Sequence, residues 1–98
     1  MFQFASGRVV LGKTERYVLF VNKCQCAIQY LILDCYGFHT MGKMDESLVP
    51  TNGGRCLFIN SNHQLIMPNK AAEFAYAFDP PFHFSVLDFN LPNGTCFA

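Results

Sequence analysis

Eight residues near the start of the chain, Gly7-Arg8-Val9-Val10-Leu11-Gly12-Lys13-Thr14, satisfy the G-x-x-x-x-G-K-[ST] pattern of a phosphate-cradling loop. In such a loop successive backbone N–H groups curl around a phosphate, the lysine reaches its oxygens, and a helix comes next. Gly7, Gly12, Lys13 and Thr14 would bind the phosphate, and Tyr30-Leu31-Ile32-Leu33-Asp34 would supply an apolar strand ending in a magnesium-holding aspartate. The intervening residues oppose this chemistry, because Arg8-Val9-Val10-Leu11 is bulky and β-branched and residues 14–22 continue in strand-forming types. A nucleotide-binding α/β domain also needs several crossover units of about 30 residues each. Gly7 and Gly12 therefore read more simply as turns, and Lys13 as a solvated charge.

A second constellation is Cys24-x-Cys26 with Cys35 and His39, four donors of the kind zinc prefers. Cys-x-Cys on a strand puts both sulfurs on one face, whereas structural zinc more often takes two intervening residues in a knuckle turn. Five cysteines (Cys24, Cys26, Cys35, Cys56 and Cys96) are an odd number, which a fully paired secreted scaffold would not leave over. The simpler expectation is a set of free, buried thiols packing as small hydrophobes. No cofactor is called for.

Nucleophilic catalysis requires a thiol or hydroxyl, a base and an orienting group meeting in space. His39, His63 and His83 could act as bases and Asp34, Asp79 or Asp88 as orienters, but nothing in the sequence brings them beside Cys35, Cys56 or Ser85. No catalytic residue is assigned, and a non-enzymatic role is expected.

The elements that would position these groups are short and β-rich. Gly, Pro, Asn and Asp punctuate the chain densely, and between the breaks lie segments rich in Val, Ile, Leu, Phe and Tyr, the spacing of a sandwich or barrel. Strands are expected over residues 8–11, 16–22, 26–36, 55–60, 64–67 and 82–89. Residues 16–22 and 26–36 are apolar on both faces, which marks central strands or strands at a subunit contact. Asn60-Ser61-Asn62-His63 would turn a hairpin between residues 55–59 and 64–67. Residues 70–78 alternate like a strand, but Asn69 could equally cap a short helix there; the strand is favoured. Residues 34–54 carry little periodicity and are the candidate for a mobile or partner-binding loop. The expected fold is one all-β domain spanning residues 1–98, a small antiparallel sandwich or barrel of six to eight short strands.

Within residues 82–90, Phe84-Ser85-Val86 and Asp88-Phe89-Asn90 resemble a stretch of the actinoporin-type cytolysins, β-sandwiches that bind membranes. The resemblance covers six residues. The tryptophan-rich lipid site of those proteins has no counterpart in a chain without tryptophan, so no function is carried over from it.

Composition points to a surface problem. Apolar residues form 51% of the chain and charged ones 14%, against about 25% charged in ordinary globular proteins. A domain this small has a high surface-to-volume ratio, so it must leave apolar side chains outside unless a partner covers them. The expected role is an interaction or assembly subunit, most simply a homo-oligomer. Its contact surface is expected among the aromatic residues of the C-terminal half: Phe74, Tyr76, Phe78, Phe82, Phe84, Phe89 and Phe97. The alternatives are a carrier of a small apolar or lipid-like ligand held between the sheets, and a phosphate-binding enzyme built on Lys13 and Thr14.

Seven basic and seven acidic residues cancel, leaving no basic stripe for nucleic acid. No apolar run reaches the roughly 18–20 residues of a bilayer span. The opening residues lack a basic segment followed by a long apolar one, so no secretory signal is read and an intracellular, cytoplasmic location is expected. On that expectation Asn93-Gly94-Thr95 is a tight turn rather than a glycosylation site.

Overall fold

A computed structural model describes residues 1–92. Seven strands are defined among them: β1 (Phe2–Val10), β2 (Lys13–Val21), β3 (Tyr30–Asp34), β4 (Leu48–Pro50), β5 (Arg55–Ile59), β6 (Ala71–Ala77) and β7 (Ser85–Asn90). They form two antiparallel sheets, one ordered β1-β2-β6 and the other β4-β5-β3-β7. This is the small all-β sandwich expected from the sequence. The two segments with apolar residues on both faces are indeed central, β2 lying between β1 and β6, and β3 between β5 and β7.

The strand periodicity of two sets the interior. Val18 on β2 stands opposite Phe74 on β6, and Arg16 opposite Tyr76, so the even-numbered residues of both strands share the inner face. On the other sheet Leu31 and Leu33 pair with Phe58 and Cys56. Val18, Leu31, Leu33, Phe58, Phe74, Tyr76 and Phe84 are all buried. Their rings meet edge to face, as aromatic quadrupoles favour: Phe58–Phe74 at 4.9 Å and Phe74–Phe84 at 5.1 Å between centroids.

The strands expected over residues 16–22, 26–36 and 82–89 are Lys13–Val21, Tyr30–Asp34 and Ser85–Asn90, and other segments differ more. β1 begins at Phe2 rather than Arg8, because Gly7 (φ +91°) does not end the strand but makes a bulge within it. The register with β2 breaks between Ala5 and Val9, and Ser6 stabilises the break by donating to Glu15 Oε1 (2.8 Å) and accepting from the Arg8 N–H (3.1 Å). Residues 64–67 form no ladder with β5; the chain makes a short 3-10 turn at Ser61–His63, and Ile66 bridges to Ile28 instead. The expected hairpin is thereby replaced by a connection that buries Ile66 in the core. Residues 34–54, read as loop, contain β4. Residues 70–78 hold the strand β6 and no helix.

Candidate protein-docking edge at β1 and β7

Each sheet has two edges, and the chain treats them differently. On β6 the N–H groups of Ala75 and Ala77 donate to the Asp45 carboxylate (2.9 Å) and the Thr40 hydroxyl (3.0 Å), and the Met41 N–H donates to the Ala77 carbonyl (2.9 Å). That edge is capped. β4 has three residues and ends in a proline, which offers no N–H. β1 and β7 pair on one side only, β1 with β2 and β7 with β3, and no strand among the described residues lies against the other side of either.

The start of β1 and the segment that enters β7 meet on one side of the sandwich, through Gln3 and Phe82. Between them lies a cleft of about 400 Å³ lined by Met1, Gln3, Pro81, Phe82, His83, Phe84 and Val86. Two of its lining residues, Gln3 and Phe82, are tied together by a hydrogen-bond relay on Tyr76. The Tyr76 hydroxyl donates to Gln3 Oε1 (2.6 Å) and accepts from the Phe82 N–H (2.8 Å), while Gln3 Nε2 donates to the Phe82 carbonyl. Burial pushes the phenol above its ordinary pKa, with the Phe82 hydrogen bond acting in the opposite direction, so the hydroxyl stays protonated and keeps donating to Gln3. The relay fixes the first residues of β1 to the segment that leads into β7.

The apolar surface is concentrated on these edges. Phe2 (60% exposed) and Phe4 (49%) alternate with Gln3 and so stand on the outer face of their sheet, where the Phe4 ring meets that of Tyr17 at 5.6 Å. On β7, Val86 and Phe89 pair with the buried Leu33 and Leu31, yet both remain exposed, as does Leu87 at the bulge between them. The side chains that ought to face the interior are left open at this edge.

This corrects the expected contact surface. Phe74, Tyr76 and Phe84 are core, and Phe78 and Phe82 pack partly buried against it. Phe89 alone of the seven is exposed among the described residues, and Phe97 lies outside them. Sequence reasoning misses Phe2 and Phe4 because Gly7 reads as a strand breaker. The signal present is their alternation about Gln3.

The phosphate-loop pattern is a β-hairpin. Leu11 (φ +49°) and Gly12 (φ +83°) form its two-residue turn, both with positive φ as a type I′ turn requires, and Lys13 and Thr14 begin β2 with no helix after them. Gly7 sits in the bulge. Lys13 is not simply solvated, since Nζ lies 5.3 Å from the centroid of the Phe78 ring. The Thr14 N–H and hydroxyl both donate to Asp79 Oδ2 (3.0 and 3.1 Å), and Arg16 binds Asp79 Oδ1 at 2.6 Å. The Thr14 hydrogen bond first, then Arg16, holds the Asp79 carboxyl below its usual pKa. These groups secure the turn after β6.

The cysteines are not the free thiols expected. Cys35 and Cys56 form a disulfide between the end of β3 and the start of β5, and Cys26 is also disulfide-bonded; Cys24 is the free thiol among the described residues. Oxidation removes Cys26 and Cys35 as thiolate ligands, so Cys24, Cys26, Cys35 and His39 do not form a zinc quartet, and no other metal-binding group of His, Cys, Asp or Glu occurs among the described residues. It likewise removes Cys35 and Cys56 as nucleophiles. His39, His63 and His83 are exposed on separate connections. Disulfides persist in oxidising compartments and are rare in the cytosol, which argues against the cytoplasmic location expected from the sequence. No helix among the described residues is long and apolar enough to cross a membrane. The triplet Asn93-Gly94-Thr95 lies outside the described residues.

The family model that matches this sandwich places it among domains of the interaction or signalling type. The family model for Tapetum determinant 1, C-terminal, matches residues 1–91, and the chain belongs to that family. None of the curated proteins and none of the solved structures matches it.

Proposed function

We propose that this domain is a non-enzymatic interaction or assembly subunit that buries its β1–β7 side against a protein partner, most simply a second copy, in an oxidising compartment. The observation that carries the reading is the exposure of Phe2, Phe4, Val86 and Phe89 along the two open sheet edges. A folded domain of this size ordinarily keeps such a patch for a partner, and the cleft between the edges sets apolar Met1, Phe82 and Val86 beside polar Gln3 and His83. The disulfide supports the compartment.

Carbene footprinting at low and high protein concentration tests it. Labelling of Phe2, Phe4, Val86 and Phe89 falls as concentration rises, while Tyr36, 82% exposed with its side chain over Gly54 on the β5 side, labels equally throughout. Unchanged labelling of all five residues would overturn the self-association.

A further inference from the structure

Resting on the interaction reading above, we propose that two copies join edge to edge along the first half of β1, residues 2–5, forming one continuous six-stranded sheet of three strands from each copy. An open strand edge presents a row of unpaired N–H and C=O groups, and the chemistry that satisfies such a row is another extended backbone. A second copy brings an identical open edge, and a two-fold axis pairs the two so that neither remains open.

Four observations select this edge and this occupant. The β6 edge is occupied by Asp45, Thr40 and Met41, and the β4 edge is three residues long with a proline. β7 carries Asp88, so antiparallel self-pairing there would bring two carboxylates close together, which is unfavourable. Residues 2–7 of β1 contain no ionisable side chain, and the chain as a whole has no net charge, so nothing repels a second copy from this strand. Finally, residues 2–5 keep an unbroken register with β2, whereas the bulge at Gly7 twists the second half of β1 away; the regular half is the part that can accept a neighbour.

The side chains agree with the backbone. An antiparallel pairing centred on Gln3 sets Phe2 of each copy opposite Phe4 of the other, on the same outer face where Phe4 already meets Tyr17. Cross-strand aromatic pairs of this kind stabilise a ladder. The Tyr76 relay holds Gln3, and with it the strand, in place before the partner arrives.

Hydrogen exchange as a function of concentration, together with sedimentation of three variants, tests the seam. In the wild type, the amides of residues 2–5 that face away from β2 gain protection as the protein associates. Phe4→Lys places a charge beside its symmetry mate's aromatic pair and weakens association by at least ~10-fold; Phe2→Lys does the same if the Phe4→Lys chain does not fold, and Leu11→Lys, at the hairpin tip, leaves association unchanged. Association with protection confined to β7, and unaffected by the lysines on β1, overturns the seam and leaves the interaction reading standing. A protein that does not associate at any concentration overturns the seam together with the self-association it rests on.

Discussion

Asn22 offers the sharpest quantitative check on how the loop after β2 is held. It is fully buried, and both ends of its side chain are engaged: Nδ2 donates to the carbonyls of Cys26 (2.9 Å) and Ile66 (2.8 Å), and Oδ1 accepts from the Cys24 N–H (2.8 Å). Asn22→Ala removes all three bonds. The Ile66 carbonyl keeps a partner, because the Ile28 N–H also donates to it, whereas the Cys24 N–H loses the acceptor it has in the wild type. Three hydrogen bonds to a buried amide, at about 1 kcal/mol each, make the loss about 3 kcal/mol, a large share of the 5–15 kcal/mol typical of a domain. In a chain of this length that lowers the melting temperature by roughly 12–24 °C. Asn22→Asp has the same shape and keeps the acceptor for Cys24, but it turns an oxygen toward two carbonyls. Burial and those carbonyls raise the pKa of the new carboxyl above its unfolded value near 4. The penalty is therefore full above the folded pKa and fades as pH falls, because protonation restores a donor. Thermal unfolding tracked by far-ultraviolet circular dichroism at neutral and mildly acidic pH measures both variants. An alanine variant that loses less than about 1 kcal/mol, or an aspartate variant as stable as the wild type at pH 7, refutes the hydrogen-bond account.

Three further outcomes are expected. Replacing Cys35 and Cys56 by alanine opens a cross-link between residues 21 apart in sequence and costs about 3 kcal/mol in denaturant unfolding by the loop-entropy relation; a loss under about 1 kcal/mol would show the disulfide to be dispensable. The Asp79 carboxyl, with its pKa lowered by Thr14 and then Arg16, contributes stability that is present above pH about 4 and is lost as pH falls through its folded value. The Asp79→Asn chain therefore shows a shallower acid loss than the wild type below that pH, and parallel curves would contradict this. Tyr76→Phe removes the donor to Gln3 and the acceptor for the Phe82 N–H; it speeds amide exchange at residues 2–5 and 82 and lowers stability by about 1–2 kcal/mol, whereas exchange unchanged at residues 2–5 would show that the relay does not anchor β1.

Sequence pattern is legible where both faces of a strand are buried or paired. β2 and β3 declare themselves central because Tyr17, Leu19 and Val21, like Tyr30 and Ile32, leave no polar face for water. It is less legible where tertiary contacts overrule local signals. Gly7 reads as a breaker but serves as a bulge held by Ser6 and Glu15, which hides the exposed half of β1 and with it Phe2 and Phe4. Residues 64–67 have strand composition, yet the buried Ile66 is drawn to Ile28 and away from β5. The aromatic load of the C-terminal half is large, as composition indicates, but Phe74 and Tyr76 alternate onto the inner face, and only the pairing partner decides which face that is. An odd cysteine count suggests thiols, while the meeting of β3 and β5 brings Cys35 and Cys56 within bonding reach.

The shortage of charge and the open edges converge on one quantity, the mass of the particle in solution. Light scattering coupled to gel filtration, on the oxidised protein in detergent-free buffer, is expected to give twice the 11.1 kDa of a single chain. It should return to the single-chain mass when Phe2 and Phe4 are replaced by lysine. A wild type that elutes at 11.1 kDa across the accessible concentration range would contradict the account at its centre.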